Sequence, residues 1–386
     1  MEFSFEKDRF SRLINGLQLS KTSPVSLSMK ALLVVGICWV PLAIYSLINN
    51  SFWTGSISNS FITHQDTQVR FLVALPIFIL SVRLIGKRLE KILKQFTEAG
   101  MLPKDQMPHY EALIVKSNKL LISGWPDLII LVICYIQVSI VLYFEQLTPE
   151  ILSWQVNVIN GEPFLNFAGK WNLLFSRPLV IFLLYKWLFR IFVWGNLLRK
   201  IAKIPLKLYT IHPDLVGGLG FLGYSIRYFS PVAFGISALI AGKMADFMLI
   251  EDSHLSDFRT PFISYMVFIT LLFVIPLLSF TKQLTSAREE AIFNNYDFAN
   301  GIYRELKPRI SKNYEKVQEE DLKSAEFGTV NDFNSLMTNT LKMRSLTFSL
   351  YDILPIWVAA SLPYFPVILL EIPIAELMKT FASFVL

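Results

Sequence analysis

Ser230–Ile250 reads SPVAFGISALIAGKMADFMLI, a run in which Lys243 and Asp246 are the only ionised side chains. A helix of that length rises about 30 Å at about 1.5 Å per residue, the thickness of a bilayer's hydrocarbon core. Six further blocks share its character: residues 31–47, 71–85, 126–144, 178–194, 263–280 and 353–371. Their apolar residues are continuous, neither alternating nor striped. Lipid offers backbone groups no partners, so such blocks predict helices rather than a barrel.

Composition agrees with this reading. The chain has 386 residues, 53% hydrophobic and 17% charged, and its mean hydropathy is +0.47. A soluble domain carries about a quarter charged residues. The expected fold is therefore all-α: a polytopic helical membrane protein with six or seven transmembrane helices and a cytoplasmic helical insertion. The expected division is a cytoplasmic N-terminal segment (1–30), a membrane domain of six spans (31–280), a cytoplasmic helical segment (281–351), and a proline-broken span with an amphipathic tail (352–386). Lys7, Arg9, Arg12, Lys21 and Lys30 precede the first block. That lead is too long and polar for a cleavable signal peptide, so the block reads as a retained anchor.

Charge sets the orientation. Lys87, Arg88, Lys91, Lys94 and Lys104 follow the second block, Arg199, Lys200, Lys203 and Lys207 the fourth, and Lys282, Arg288, Arg304, Lys307 and Arg309 the sixth. Residues 49–68 hold no Lys or Arg, and residues 251–260 hold only Arg259 against Glu251, Asp252 and Asp257. The N-terminus is expected on the cytoplasmic side. The net charge of +6 belongs to these flanks, so no nucleic-acid partner is expected.

Two segments have special character. Trp154, Val156 and Val158 alternate before Asn160-Gly161, which predicts a hairpin. Pro355, Pro363, Pro366 and Pro373 punctuate the last block, which is either a kinked seventh span or a re-entrant pair of half-helices. Trp154, Trp171 and Trp194 are expected in an interfacial belt.

The stretch richest in chemistry is residues 204–224, IPLKLYTIHPDLVGGLGFLGY. It gathers His212, Pro213, Asp214, Gly217, Gly218, Gly220 and Gly223. Two readings stand side by side. Glycine-rich backbone before a helix can cradle a phosphate or other anion, with His212 and Asp214 as a titratable pair. The same residues equally suit a capped turn and close helix packing. A P-loop is excluded, since no Lys-Ser/Thr follows.

Within this stretch residues 212–223, together with roughly residues 354–377, resemble an uncharacterised family of bacterial multi-pass inner-membrane proteins with a His-Pro-Asp, Gly-Gly-Leu-Gly loop. The resemblance implies a bacterial inner-membrane location and no particular activity.

Charge inside the spans is the second clue. Lys186 and Arg190 lie four apart, and Lys243 and Asp246 three apart, so each pair shares a helix face. Three cations against one carboxylate suggest an anion-favouring cavity; a salt bridge between the fourth and fifth spans, or snorkelling, accounts for them as well. His64, His109 and His254 read as solvated loop residues without metal-ligand spacing, and Cys38 and Cys134 as small apolar residues. No cofactor is indicated.

Three functional classes follow. One is a channel or transporter for a small anion, with the His212 loop as inner gate or site. The second is a membrane-embedded enzyme acting on a lipid or phosphate substrate through His212 and Asp214 as acid and base. The third is a signalling scaffold acting through residues 282–344. The expected partner is the lipid bilayer, with room for a small anion and for a homo-oligomer.

Overall fold

All seven apolar blocks are helical in the computed structural model, which describes residues 3–16, 27–57, 59–144, 153–159, 162–312 and 325–372. In chain order the helices are α1 (Arg9–Gly16), α2 (Leu27–Ile48), α3 (Gln65–Glu98), α4 (Met107–Ile122), α5 (Gly124–Phe144), α6 (Phe167–Ile201), α7 (Gly223–Tyr228), α8 (Ser230–Ile250), α9 (Arg259–Val274), α10 (Thr281–Lys312), α11 (Ala325–Lys342), α12 (Leu350–Ser361) and α13 (Tyr364–Glu371). Five helical stretches are individually long and apolar enough to cross a membrane, and up to seven if each of two bent pairs is one span. The bent pairs are residues 104–140, turning by 42° at Ser123, and α12 with α13, turning by 50°. The protein is an integral, multi-pass α-helical membrane protein.

The prolines explain the bends. Pro363 has no N–H to donate and its ring crowds the preceding turn, so the helix breaks between Ser361 and Tyr364. Pro76 and Pro178 act more gently. Each follows a π turn, Arg70–Ala74 in α3 and Asn172–Ser176 in α6, where the widened backbone admits the ring without ending the helix. Pro276 is absorbed by a 3-10 turn, Ile275–Phe280, which leads from α9 into α10. Pro276 rests against Gly195 of α6, where an added Cβ would stand 3.0 Å from its ring, so a larger residue would require the proline to shift by a few tenths of an ångström.

Helices α3, α6 and α8 form the centre. α8 packs on α3, α12 and α13; α6 packs on α3, α4, α5 and the Ile275–Phe280 turn. In α6, 61% of the most apolar window is buried, against 22% in the stretch Leu255–Gly301, which separates a core span from a peripheral one. On α5, Leu128, Ile129, Val132, Ile133, Ile136 and Ile140 stand exposed along one face, opposite the buried Ile130, Cys134 and Val138. Such a surface is stable only where its solvent is hydrocarbon.

The two ends differ. At the basic end, residues 3–16 are packed into the bundle, with Phe3, Phe5 and Asp8 buried. At the other end the expected hairpin is present: β1 (Val156–Ile159) pairs antiparallel with β2 (Glu162–Leu165), Val156 opposite Leu165 and Ile159 opposite Glu162. The turn residues Asn160 and Gly161, and the tail from 373 onward, lie outside the described residues. Trp154 and Trp194 are buried core residues rather than belt residues. Trp154 packs edge-on against Phe61, fixing the hairpin onto α3's entrance.

Candidate functional site

The loop between α6 and α7 is built around one carboxylate. Leu215, Gly217 and Gly218 have φ of 59°, 66° and 90°, which turns successive backbone N–H groups inward. Asp214 Oδ1 accepts from the N–H of Val216 (2.9 Å) and Gly218 (3.1 Å), and Oδ2 from that of Gly220 (2.9 Å). The anion cradle expected from the glycines therefore exists, and its anion is the chain's own Asp214. Burial alone would raise the Asp214 carboxyl; the N–H groups of Val216, Gly220 and Gly218 and the His212 imidazole outweigh it and hold it below its ordinary value.

His212 Nδ1 stands 2.9 Å from Asp214 Oδ1. An ionised carboxylate only accepts, so Nδ1 carries the proton and donates, and Nε2 is left without a partner among the described residues. The Asp214 N–H also points at Nδ1 from 3.3 Å; one nitrogen cannot serve both, and the shorter, charge-assisted contact prevails. Asp214 thus positions His212.

These groups line a cleft of about 670 Å³ at the basic end, with Tyr209, Tyr224, Arg227, Arg344 and Tyr351 on its other walls. Arg227 is paired: its Nη2 is 2.7 Å and its Nε 2.9 Å from Asp352 Oδ1, and its guanidinium lies over the Tyr224 ring. Asp352 Oδ2 in turn accepts from the Ser349 N–H (2.8 Å) and hydroxyl (2.9 Å), closing the capping box that starts α12. Arg344 differs. Its backbone N–H donates to Leu215 O at 2.7 Å, anchoring it to the loop, while its Nη2 reaches only the Asp214 carbonyl at 3.4 Å. Among the described residues it has no carboxylate partner. The cleft's ionised groups balance, Arg227 and Arg344 against Asp214 and Asp352, and Arg344 is the cation that no carboxylate touches among the described residues.

The other candidate residues lie elsewhere. Lys186 and Arg190 are fully buried within the bundle. Lys186 pairs with Asp127 of α5, and Arg190 with Asp8, whose other oxygen accepts the Ser11 N–H at 2.7 Å. The count of three cations against one carboxylate thus omits two carboxylates that the fold brings in. Arg190 Nε lies 3.1 Å from Asp8, and its Nη1 has no partner among the described residues. The Arg190 guanidinium lies over the Trp187 ring.

Lys243 and Asp246 do not pair. Asp246 turns toward α3 and accepts the N–H groups of Gln65 (2.6 Å) and Asp66 (3.2 Å), capping that helix where its dipole favours negative charge. Lys243 lies over the Phe247 ring. His64 is not a solvated loop residue: it is buried beside Trp154, 3.8 Å from Asp246. His254 is exposed and faces Glu371.

The cleft gathers His212, Asp214, Gly218 and Gly220. Gly217 points instead into packing, toward Met343 and Leu208. Neither Lys186 nor Asp246 lines this cleft or the apolar one of about 350 Å³ between α3, α8 and α13. Among the described residues no three His, Cys, Asp or Glu side chains are grouped to hold a metal. Sequence reasoning missed Arg344, Arg227, Asp352, Asp8 and Asp127. Ser349-x-x-Asp352 before an apolar run was a readable capping signature, and Asp127 a readable carboxylate at the edge of a span. Nothing local marked Asp8 or Arg344. No family model, no curated protein and no solved structure matches the chain.

Proposed function

We propose that this membrane protein takes up a small anionic group, such as a phosphate ester, in the His212 cleft, and that it belongs to the transporter-like class. One observation carries the reading: Arg344 brings a guanidinium without a carboxylate into an open polar cleft that also holds a His212 Nε2 without a partner. A forked guanidinium with no carboxylate in contact suits phosphate oxygens. The break between α12 and α13 and the neighbouring apolar cleft supply a hinge and a space for motion.

The Lys and Arg bias at the cleft's end supports a cytoplasmic placement of the N-terminus and of the cleft. The likeness of residues 212–223 to a bacterial family supports the inner membrane. The test is saturable binding of radiolabelled phosphate to the full chain, followed by flux of the same ion from proteoliposomes. Binding that falls with Arg344→Ala is the expected result; its absence at millimolar phosphate removes the reading for a soluble anion.

A second reading, an enzyme acting on a lipid or phosphate substrate, is favoured by the Asp214–His212 pair. In it Asp214 orients, and His212 alone moves a proton through Nε2. Asp214, held by three N–H groups, is a poor base. A His212→Gln variant that keeps binding but loses turnover would support this reading.

A further inference from the structure

We infer that the anionic group recognised in the cleft is the headgroup of an anionic phospholipid, which enters sideways from the bilayer. The inference rests on the anion-binding reading above and adds the ligand's source.

Position is the first argument. Ser349, Tyr351 and Asp352, which form one wall of the cleft, are also the cap and first turn of α12. That helix forms, with α13, one of the bent apolar pairs. The cleft therefore lies where a span enters the bilayer, at the depth of the headgroups, and Tyr224 and Tyr351 suit that boundary.

The rim is the second argument. Leu350 is 73% and Tyr351 79% exposed at the edge of the cleft, and Leu354 and Val358 continue the Leu350 face at four-residue steps. An apolar track running from a cleft with an unpaired Arg344 matches a molecule with charge at one end and hydrocarbon at the other. A soluble anion would find no use for it. Exposed apolar surface leading to a guanidinium that no carboxylate touches is what an anionic amphiphile covers.

Size is the third. A cleft of about 670 Å³ is far larger than an inorganic anion needs and falls in the range of roughly 300–1,000 Å³ that holds a whole organic headgroup. Arg344 would meet the phosphate. His212 Nε2, Tyr209 and Gln95, which also line the cleft, offer partners for headgroup hydroxyls.

The experiment uses the full chain in nanodiscs of phosphatidylcholine containing a minor fraction of phosphatidylglycerol, with retained lipid counted by native mass spectrometry. Arg344→Ala tests the cleft, Arg344→Lys keeps the charge, and Lys203→Ala, an exposed cation at the same end outside the cleft, controls for general attraction. Circular dichroism establishes that each variant is folded. Selective retention of phosphatidylglycerol, weakened about tenfold by Arg344→Ala, less by Arg344→Lys and unchanged by Lys203→Ala, is the expected outcome. Equal retention of both lipids, or an equal loss with Lys203→Ala, overturns the lipid assignment. A parallel titration with inorganic phosphate separates the two claims. Phosphate binding that depends on Arg344, without lipid selectivity, overturns the lipid source alone. If neither phosphate nor lipid binds, the anion-binding reading falls as well.

Discussion

Replacing Asp8 with Ala should be the most destabilising single change in the charge network, and the structure says by how much. Asp8 and Arg190 are both fully buried, so solvent screening gives no discount. Among the described residues Arg190 already has one nitrogen without a partner, and its carboxylate contact is Asp8. Removing the carboxylate leaves a buried cation uncompensated, at a cost of about 3–5 kcal/mol. Lost acceptance of the Ser11 N–H adds roughly 1 kcal/mol. Arg190→Met should cost less than Asp8→Ala, because Lys186 acts on Asp8 electrostatically and remains to face the carboxylate. Removing both partners should recover a large part of the loss, since an apolar replacement of a buried pair is often near neutral. The assay is a double-mutant cycle of chemical unfolding in mixed micelles, with Asp8→Ala, Arg190→Met and the double variant. Effects that add within about 0.5 kcal/mol, or an Asp8→Ala cost below about 0.5 kcal/mol, would refute the argument that this pair is a dry, mutually dependent unit.

Other expectations are more local. Asp214 has a folded carboxyl below its ordinary value of 3.8, so its stabilisation is complete above that pH and is lost as acid protonates it. Amide exchange at Val216, Gly218 and Gly220 should be constant from neutral pH down to about pH 4, after correction for intrinsic rates, and lose protection below it. Asp214→Asn should abolish that acid transition. Gly218→Ala would put a Cβ 2.7 Å from the Met101 methyl at a φ of +90°, costing about 1–3 kcal/mol and weakening phosphate binding, as unfolding and binding titrations would report. Asp246→Ala removes the cap of α3 and should cost about 0.5–2 kcal/mol, with exchange of the Gln65 and Asp66 amides rising first.

The fold was legible because lipid imposes a simple rule: a span must be apolar throughout, and helix follows from the need to pair its backbone. Ser230–Ile250 is a helix with the bounds of its apolar run. The helices that outran their blocks did so where polar residues continued them past the hydrocarbon, as in α3, whose last turns carry Lys87 through Lys94. The chemistry was legible in part. His-Pro-Asp before a glycine run signalled inward-turned N–H groups, and they are there. What fills them, Asp214 itself, depends on which way one side chain turns.

The buried pairs were opaque for a different reason. Asp8 stands 182 positions from Arg190 and Asp127 59 from Lys186, and no spacing rule links residues across a fold. Counting intramembrane cations without their tertiary partners overstated the positive charge of the bundle interior. Arg344 was hidden similarly: it reads as an ordinary inner-end cation until its backbone N–H is seen to dock on Leu215.

The most direct test of the central claim is a calorimetric titration of the full chain, in phosphatidylcholine nanodiscs, with glycerol phosphate, which carries the phosphate without acyl chains. Saturable binding that weakens about tenfold in folded Arg344→Ala is the result predicted for a cleft organised around that guanidinium. Binding of equal strength in the two proteins, or none in either, would contradict it.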